Sequence, residues 1–355
     1  MKNSTNPAIA QLAVDNMLKV LILAVDYGMG YTKFAFKFGN KLYKRHFESR
    51  VSYERAFSAT TTTINNKDYV FGEGQFAVDL GHNTKDHEIH RLLMYKAMID
   101  AYKITKQTRF KLAVTCSLDS YKVDRGTSVR NFMLEKREIT FKEDGVEATL
   151  YIEDIQCYPE CLVGALTTDL KLKKEDVIVI DLGTRNLQLL RILMGNPEID
   201  KSYSTLHGCD SLYIAIGDNA KALNIGLDTP DAIKMYLTRT GEGTYPEIPE
   251  IEDIILKHLE VNIFSDIDKK LKILGSSLFT KFIFVGGGAV YFKRFLEAKY
   301  NVDDKALPVK ALIKTDNSNN STNIDNTKTS FVKDPFYANS LGLLKKAQKV
   351  FAEAA

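Results

Sequence analysis

One stretch near the start of the chain brings together the groups that a phosphate-binding turn needs. In Leu21–Phe38, "LILAVDYGMGYTKFAFKF", an apolar run ends in Asp26. The turn that follows holds two glycines, a hydroxyl and an ammonium group: Gly28, Gly30, Thr32 and Lys33. Turn glycines let backbone N–H groups approach phosphate oxygens. A carboxylate repels phosphate, so Asp26 fits such a site if Mg²⁺ and its water ligands lie between the two.

The same plan recurs about halfway along the chain, in Asp176–Leu193, "DVIVIDLGTRNLQLLRIL". Asp181 and Gly183 correspond to the aspartate and the first glycine of the opening stretch. One strand-end aspartate followed by a glycine is most often only a turn. Two matched hairpins, with a strand, three glycines and a helix at Lys281–Tyr300, favour a phosphate site. We interpret the repeat as two related domains that clamp a nucleotide between them.

Other nucleotide motifs are absent from the sequence. It contains no GxxxxGK[ST], and "GMGYTK" is neither GxGxxG nor followed by a helical pattern. The 48 basic and 45 acidic residues give a net charge of +3, which is too near neutrality for a nucleic-acid footprint. The four cysteines do not have the spacing of a zinc site, and no apolar stretch reaches the ~18 residues of a membrane helix. We therefore expect a cytoplasmic protein with reduced thiols, no membrane segment and no direct DNA binding.

Hydrophobic periodicity predicts the elements that position these residues. The opening stretch has the pattern of strand, turn and strand, and a "GN" turn then leads to a third strand. Further along, we expect a helix over His87–Ile104, a strand over Arg109–Leu118, a helix that begins at Pro159, and a largely helical Ser211–Leu278 with a loop at Arg239–Glu250. The polar, low-complexity Thr315–Ser330 is expected to be a mobile loop.

Five motifs in a fixed order resemble those of the actin/Hsp70/sugar-kinase superfamily, and within it the ParM-type bacterial actins. They are the phosphate-1 hairpin "VDYGMGYTK", a first connecting helix "QCYPECLVGAL", the phosphate-2 hairpin "IDLGTRNLQLL", the adenosine motif "IFVGGGAVYF" and a second connecting helix "DPFYANSLGLL". Together they span Leu21–Leu344. The resemblance implies an α/β fold of the actin-like (ribonuclease H-like) type, with two domains and a nucleotide cleft between them.

The resemblance also implies the domain boundaries. Residues 1–18 would form a flexible N-terminal extension, and residues 19–160 would form domain I, with a small inserted subdomain at about 42–95. Residues 161–334 would form domain II, with a helical subdomain at about 211–275, and residues 335–355 would be a C-terminal helix that returns to domain I.

The family further implies a nucleotide-dependent filament that binds and hydrolyses ATP or GTP with Mg²⁺. Its assembly would segregate plasmid DNA through a small DNA-binding adaptor bound to a centromere-like site. By resemblance Asp26, Asp181 and Glu160 are catalytic; the two aspartates hold the metal, and Glu160 orients the attacking water. The implied nucleotide-binding residues are Gly28, Gly30, Tyr31, Thr32, Lys33, Gly183, Thr184, Gly208, Lys234, Gly286, Gly287 and Gly288.

The second hairpin departs from the family pattern, because Thr184 is followed by Arg185 and Asn186. If the clamp differs from its relatives, we expect the difference at these two residues. Two other functions remain open. A small-molecule (sugar-type) kinase of the same fold would transfer phosphate without assembling, and a nucleotide-dependent scaffold would assemble without releasing phosphate.

Overall fold

The structure is a computed structural model. It describes residues 19–53, 60–73, 75–76, 85–227, 229–241, 243–275, 280–300 and 329–353 of the 355. The expected N-terminal extension lies outside these residues. So does the expected loop at Thr315–Ser330, except for its last two residues, which begin a strand. The chain divides into unit 1, which is Met1–Val163 with Ser340–Ala355, and unit 2, which is Gly164–Asn339.

Unit 1 is built on a ten-stranded mixed sheet in the order β3-β2-β1-β8-β10-β9-β5-β6-β4-β7. The strands are β1 (Val20–Tyr27), β2 (Tyr31–Phe38), β3 (Lys41–Glu48), β4 (Arg50–Ser52), β5 (Thr61–Ile64), β6 (Lys67–Phe71), β7 (Gln75–Phe76), β8 (Arg109–Cys116), β9 (Glu138–Glu143) and β10 (Val146–Pro159). Strand β1 pairs antiparallel with β2 and parallel with β8. The predicted strand–turn–strand of the opening stretch is therefore confirmed.

The helices of unit 1 are α1 (Glu88–Thr105), α2 (Leu118–Asp124), α3 (Thr127–Leu134), α4 (Glu160–Ala165, which continues into unit 2) and α11 (Ala338–Glu353, which enters from unit 2). Helix α1 begins and ends one residue later than the predicted span His87–Ile104, and it packs against β1 and β2. Helix α4 begins at Glu160, one residue after the predicted start at Pro159. Pro159 ends β10 instead, where it pairs with Cys116.

A row of small residues in the sheet makes room for α11. Ala24 pairs with Ala35 on one side and with Ala113 on the other, so three alanines lie side by side across β2, β1 and β8. The apolar side chains of α11 that pack on this row are Leu343, Leu344, Ala347 and Phe351. Gly342 lets α11 approach α4 closely, because a Cβ there would lie 1.7 Å from the carbonyl oxygen of Val163. The last helix is thereby fixed to the strand that carries Asp26.

Unit 2 has a second mixed sheet in the order β13-β12-β11-β15-β16, with β14 paired to β12. Its strands are β11 (Asp176–Leu182), β12 (Leu187–Leu193), β13 (Asn196–Pro197), β14 (Tyr203–Thr205), β15 (Lys281–Val285) and β16 (Thr329–Phe331). Every residue of β11 is buried. At its start, Asp176 accepts two 2.8 Å hydrogen bonds from Arg191 and one of 2.7 Å from Thr280.

The other helices of unit 2 are α5 (Cys209–Leu223), α6 (Pro230–Gly241), α7 (Pro249–His258), α8 (Ser265–Leu274), α9 (Gly287–Tyr291) and α10 (Lys293–Tyr300). A π-helical turn, Leu259–Phe264, joins α7 to α8. The segment from residue 211 to 274 is mostly helical, as predicted. Its loop is shorter than expected, because α6 continues to Gly241 and Pro249 already begins α7, a position where proline needs no N–H partner.

Candidate functional site

The first hairpin places Asp26 directly opposite Lys33 across the β1–β2 pair. Lys33 Nζ lies 2.8 Å from Asp26 Oδ2, and both side chains are buried. The sequence predicts that Lys33 reaches phosphate, whereas in this structure its ammonium group contacts the aspartate. The turn between the strands is tight, because a Cβ on Gly28 would lie 3.0 Å from the carbonyl oxygen of Tyr31. Tyr31 itself meets His46 edge to face, with ring centroids 5.7 Å apart.

Ser49, which the sequence analysis did not single out, holds this turn from the end of β3. Its hydroxyl donates to Gly28 O at 2.5 Å, and its backbone N–H donates to Gly30 O at 3.0 Å. Thr32 is fully buried, and its Oγ1 lies 2.9 Å from Ser49 Oγ. In this structure Thr32 therefore fixes the shape of the turn through Ser49.

A second buried lysine, Lys85, connects two acidic residues of unit 1, Asp26 and Glu160. Its Nζ forms an ion pair with Glu160 and donates to Thr115 Oγ1 at 3.0 Å. Thr115 Oγ1 donates in turn to Asp26 Oδ1 at 3.0 Å, and Lys85 Nζ lies 4.0 Å from that same oxygen. Glu160, at the start of α4, and Asp26, at the end of β1, thus belong to one chain of polar contacts.

Opposite charges next to Asp26 and Lys85 determine the pKa values of these two buried groups. Burial raises the pKa of the Asp26 carboxyl, but the nearby ammonium groups of Lys33 and Lys85 outweigh burial and hold the pKa below its usual value. Burial lowers the pKa of Lys85, and the carboxylates of Glu160 and Asp26 more than offset it, so the pKa is raised. Both groups are therefore charged at neutral pH, although neither is exposed.

The second hairpin repeats the register of the first. Asp181 lies opposite Gln188, as Asp26 lies opposite Lys33. Gly183 N donates to Asn186 O at 2.9 Å and closes a turn of the same length as the first. The departure expected at Arg185 and Asn186 thus changes the side chains of the turn and not its length.

Helix α5 begins directly against this turn. Cys209 N donates to Gly183 O at 3.2 Å, and Asp210 N donates to Thr184 O at 2.8 Å. Gly208 allows the approach, because a Cβ there would lie 2.3 Å from the carbonyl carbon of Arg185. Two N–H groups of the first helical turn are thus used by the hairpin in this structure.

The three glycines after β15 differ in their surroundings. A Cβ on Gly286 would lie 2.3 Å from Asp181 Oδ1, and a Cβ on Gly288 would lie 2.5 Å from Leu182 Cγ. At Gly287 the nearest atom would be a ring carbon of Phe336, 3.7 Å away. Two of the glycines therefore let the strand-to-helix turn pack on the second hairpin, and Gly287 alone of the three has room for a side chain.

Side chains of α6 and α11 hold the remaining predicted and unpredicted polar groups of unit 2. Asn339 Nδ2 donates to Asp181 Oδ2 at 3.0 Å, a contact that the sequence analysis did not foresee. Lys234 Nζ lies 3.4 Å from Asp231 Oδ1 on the same helix. Arg239, further along α6, lines a cavity of about 200 Å³ together with Tyr236 and Tyr245. The structure thus brings the second hairpin, Gly208, the three glycines and Asn339 together, and it places Lys234 on α6.

The donor set suits a metal that brings its own water and phosphate ligands. Within the described ranges, no three His, Cys, Asp or Glu side chains are grouped to hold a metal. Mg²⁺ needs only one or two carboxylates when phosphate oxygens and water supply the rest. Asn186 Oδ1 is buried and has no hydrogen-bond partner among the described residues. A metal-bound water is a donor that would satisfy it, so Asp181 and the second turn fit a hydrated Mg²⁺.

Comparison with known proteins finds the same fold elsewhere. Residues 24–162 match the family model described as the N-terminal domain of actin-like proteins. A Bacillus thuringiensis ParM solved with ATP is 15% identical, with a TM-score of 0.67 over 94% of this chain and 99% of that chain. A 15-stranded ParM filament from Clostridium botulinum is 16% identical, with a TM-score of 0.66 over 94% and 100%. AlfA from the B. subtilis plasmid pLS32, solved as a filament, is 17% identical, with a TM-score of 0.58 over 92% and 99%.

A comparison with curated protein sequences finds no significant match. None of the helices in the described ranges combines the length and the apolar character that a membrane crossing requires. The α/β architecture with two mixed sheets agrees with the ParM structures over more than 90% of the chain, so the expected fold is confirmed. The chain thus has the fold of these ParM and AlfA structures, and its residues 24–162 are similar to the N-terminal domain of actin-like proteins.

Proposed function

We propose that this protein binds and hydrolyses ATP or GTP with Mg²⁺ and assembles into filaments in the cytoplasm. The observation that carries the proposal is the pair of hairpins with identical register. Each places a buried aspartate at the end of a central strand, two residues before a turn glycine. Such turns accept phosphate through their backbone N–H groups. A carboxylate next to phosphate would repel it, so we propose that these aspartates bind the water ligands of a metal ion that lies between them and the phosphates.

The two hairpins, Glu160 and Gly287 each have a role in the proposed reaction. Asp26 and Asp181 hold the hydrated metal, and the turns that begin at Gly28 and Gly183 hold phosphate. Bound Mg²⁺ would neutralise charge on the phosphate oxygens. Glu160 fixes the water that attacks the terminal phosphorus and accepts its proton as the nucleoside diphosphate leaves. Gly287 is the place among the three glycines where a nucleoside can approach the backbone.

Filament assembly is supported by the structural neighbours. The C. botulinum ParM and AlfA were both solved as filaments, and the second comes from a plasmid. We propose that this chain likewise polymerises with itself and that assembly segregates plasmid DNA. The near-neutral net charge favours an indirect link to DNA through an adaptor protein bound to a centromere-like site.

The test combines assembly and hydrolysis in one sample. The protein with Mg²⁺ and either ATP or GTP should scatter light and pellet above a threshold concentration, and it should release phosphate. Asp181→Asn should abolish nucleotide-dependent assembly, whereas Asp218→Asn, on the exposed side of α5, should leave it unchanged. Phosphate transfer to a small acceptor without pelleting would replace the proposal with a kinase. Pelleting without phosphate release would leave a non-hydrolysing scaffold.

A further inference from the structure

Lys85 is buried, and removing its ammonium group from water costs free energy unless the charge is paired. Its side chain is 4% exposed, and a buried ammonium group needs opposite charge and hydrogen-bond acceptors to stay ionised. It finds them in Glu160, in Thr115 Oγ1 at 3.0 Å and in Asp26 Oδ1 at 4.0 Å. The ring of Tyr27 lies on a further side, with its centroid 5.0 Å from Nζ. Each of these four groups is thus an anion, a hydrogen-bond acceptor or an aromatic ring.

Lys85 lies next to two carboxylates of the candidate site, those of Asp26 and Glu160. Lys33 contacts Asp26 from β2, whereas Lys85 lies between Asp26 and Glu160. Two carboxylates brought together in a buried site repel each other. An ammonium group between them removes the repulsion and also restricts the rotamer of the flexible Glu160 side chain.

We infer that Lys85 is a positioning residue, which holds the Glu160 carboxylate in one orientation for nucleotide hydrolysis, within the chain of polar contacts that ends at Asp26. The inference rests on the proposed function, because it gives Lys85 a role through Glu160 in that reaction. A supporting residue of this kind affects the rate by keeping another group in the productive geometry. We expect Lys85 to have little effect on substrate affinity, because its ammonium group contacts the protein groups Glu160, Thr115 and Asp26.

The experiment is a double-mutant cycle on the full chain with saturating ATP or GTP and Mg²⁺. Lys85→Met keeps the length of the side chain and removes its charge, and Glu160→Gln removes the carboxylate. We expect Lys85→Met to lower kcat about 10- to 100-fold, as losses of supporting contacts do, with KM changed less than about threefold. In the Glu160→Gln background, Lys85→Met should lower kcat no further.

Two more variants separate positioning from folding. Lys85→Arg keeps the charge and should recover part of kcat, which a loss of packing would not explain. Lys103→Met removes another lysine paired to a buried carboxylate of unit 1, that of Glu143, and should lower thermal stability without changing kcat. If Lys85→Met does not fold, Lys85→Arg alone and combined with Glu160→Gln supplies the same cycle.

The outcomes distinguish the inference from the function on which it rests. If the unaltered protein releases no phosphate, the proposed function fails, and the role of Lys85 fails with it. If it hydrolyses nucleotide but the losses from Lys85→Met and Glu160→Gln multiply, Lys85 does not act through Glu160, and only the inference is overturned. A rise in KM with unchanged kcat would instead make Lys85 a nucleotide-binding residue and would also overturn it.

Discussion

Two neighbouring glycines, Gly286 and Gly287, should respond in opposite ways to the same substitution. Gly286 has φ 91° and ψ 167°, a backbone region open almost only to glycine. An alanine Cβ there would also lie 2.3 Å from Asp181 Oδ1 and 2.6 Å from Leu182 O. At Gly287 an added Cβ would meet nothing closer than 3.7 Å, and the residue begins α9.

The magnitudes follow from these surroundings. The backbone strain of Gly286→Ala costs about 1–3 kcal/mol. The clash with the second hairpin adds about 1–3 kcal/mol, as overpacking of a buried site typically does. Gly287→Ala removes a flexible residue from a helix and should stabilise by about 0.5–1 kcal/mol. The two variants, which differ by one position in the chain, should therefore differ by about 2.5–7 kcal/mol in stability.

Urea unfolding followed by circular dichroism measures the difference, and nucleotide titration is run on the same samples. Gly286→Ala should unfold at a lower urea concentration and lose nucleotide binding, because Asp181 is displaced. Gly287→Ala should unfold no earlier than the unaltered protein, yet bind nucleotide more weakly, because its methyl group fills the space that we assign to the nucleoside. Equal stability of the two variants would refute the packing account, and tight nucleotide binding by Gly287→Ala would refute the assignment of that space.

Three further predictions concern hydrolysis, packing and pH. Glu160→Gln should slow phosphate release about 10²- to 10⁴-fold while pelleting persists, and an unchanged rate would contradict its role. Gly342→Ala should destabilise unit 1 in urea, because its Cβ would overlap Val163 O, whereas Gly241→Ala, with nothing within 4 Å, should not. Burial raises the pKa of Asp176, but its guanidinium and hydroxyl partners outweigh burial and lower it. Its contribution to stability is therefore present above about pH 4 and lost as pH falls through the lowered pKa, so Asp176→Asn should flatten the acid dependence of the urea midpoint.

Much of the fold could be predicted because its signals are local. The spacing of Asp26 and Gly28, with apolar residues on both sides, specifies a strand, a turn and a second strand within 18 positions, and Asp181 and Gly183 repeat it. The row of alanines that receives α11 could not be predicted in this way. It forms only when β2, β1 and β8 align, and β8 lies some 90 positions further along the chain.

The sequence predicted the two hairpins of the candidate site but not the residues that contact their side chains, such as Lys85 and Thr115. Lys85 is in a polar segment without a motif, and its partner Glu160 lies 75 positions away. The position of Thr115 could have been predicted, because it is the penultimate residue of β8, a parallel neighbour of β1. The carboxyl ends of parallel strands meet at one edge of a sheet. Spacing also could not separate the three glycines, since only the packed structure shows which of them touch the second hairpin.

Asp26 and Asp181 occupy equivalent positions in the two hairpins, but different side chains surround them. Asp26 has an ammonium group opposite it at 2.8 Å and a second one at 4.0 Å, so its charge is largely compensated within unit 1. The residue opposite Asp181 is Gln188, and the hydrogen bond to Asp181 Oδ2 comes from the amide of Asn339, so both of these neighbours are neutral. The matched register of the hairpins therefore fixes where each aspartate lies, whereas the residues opposite, Lys33 and Gln188, surround the two aspartates with different groups.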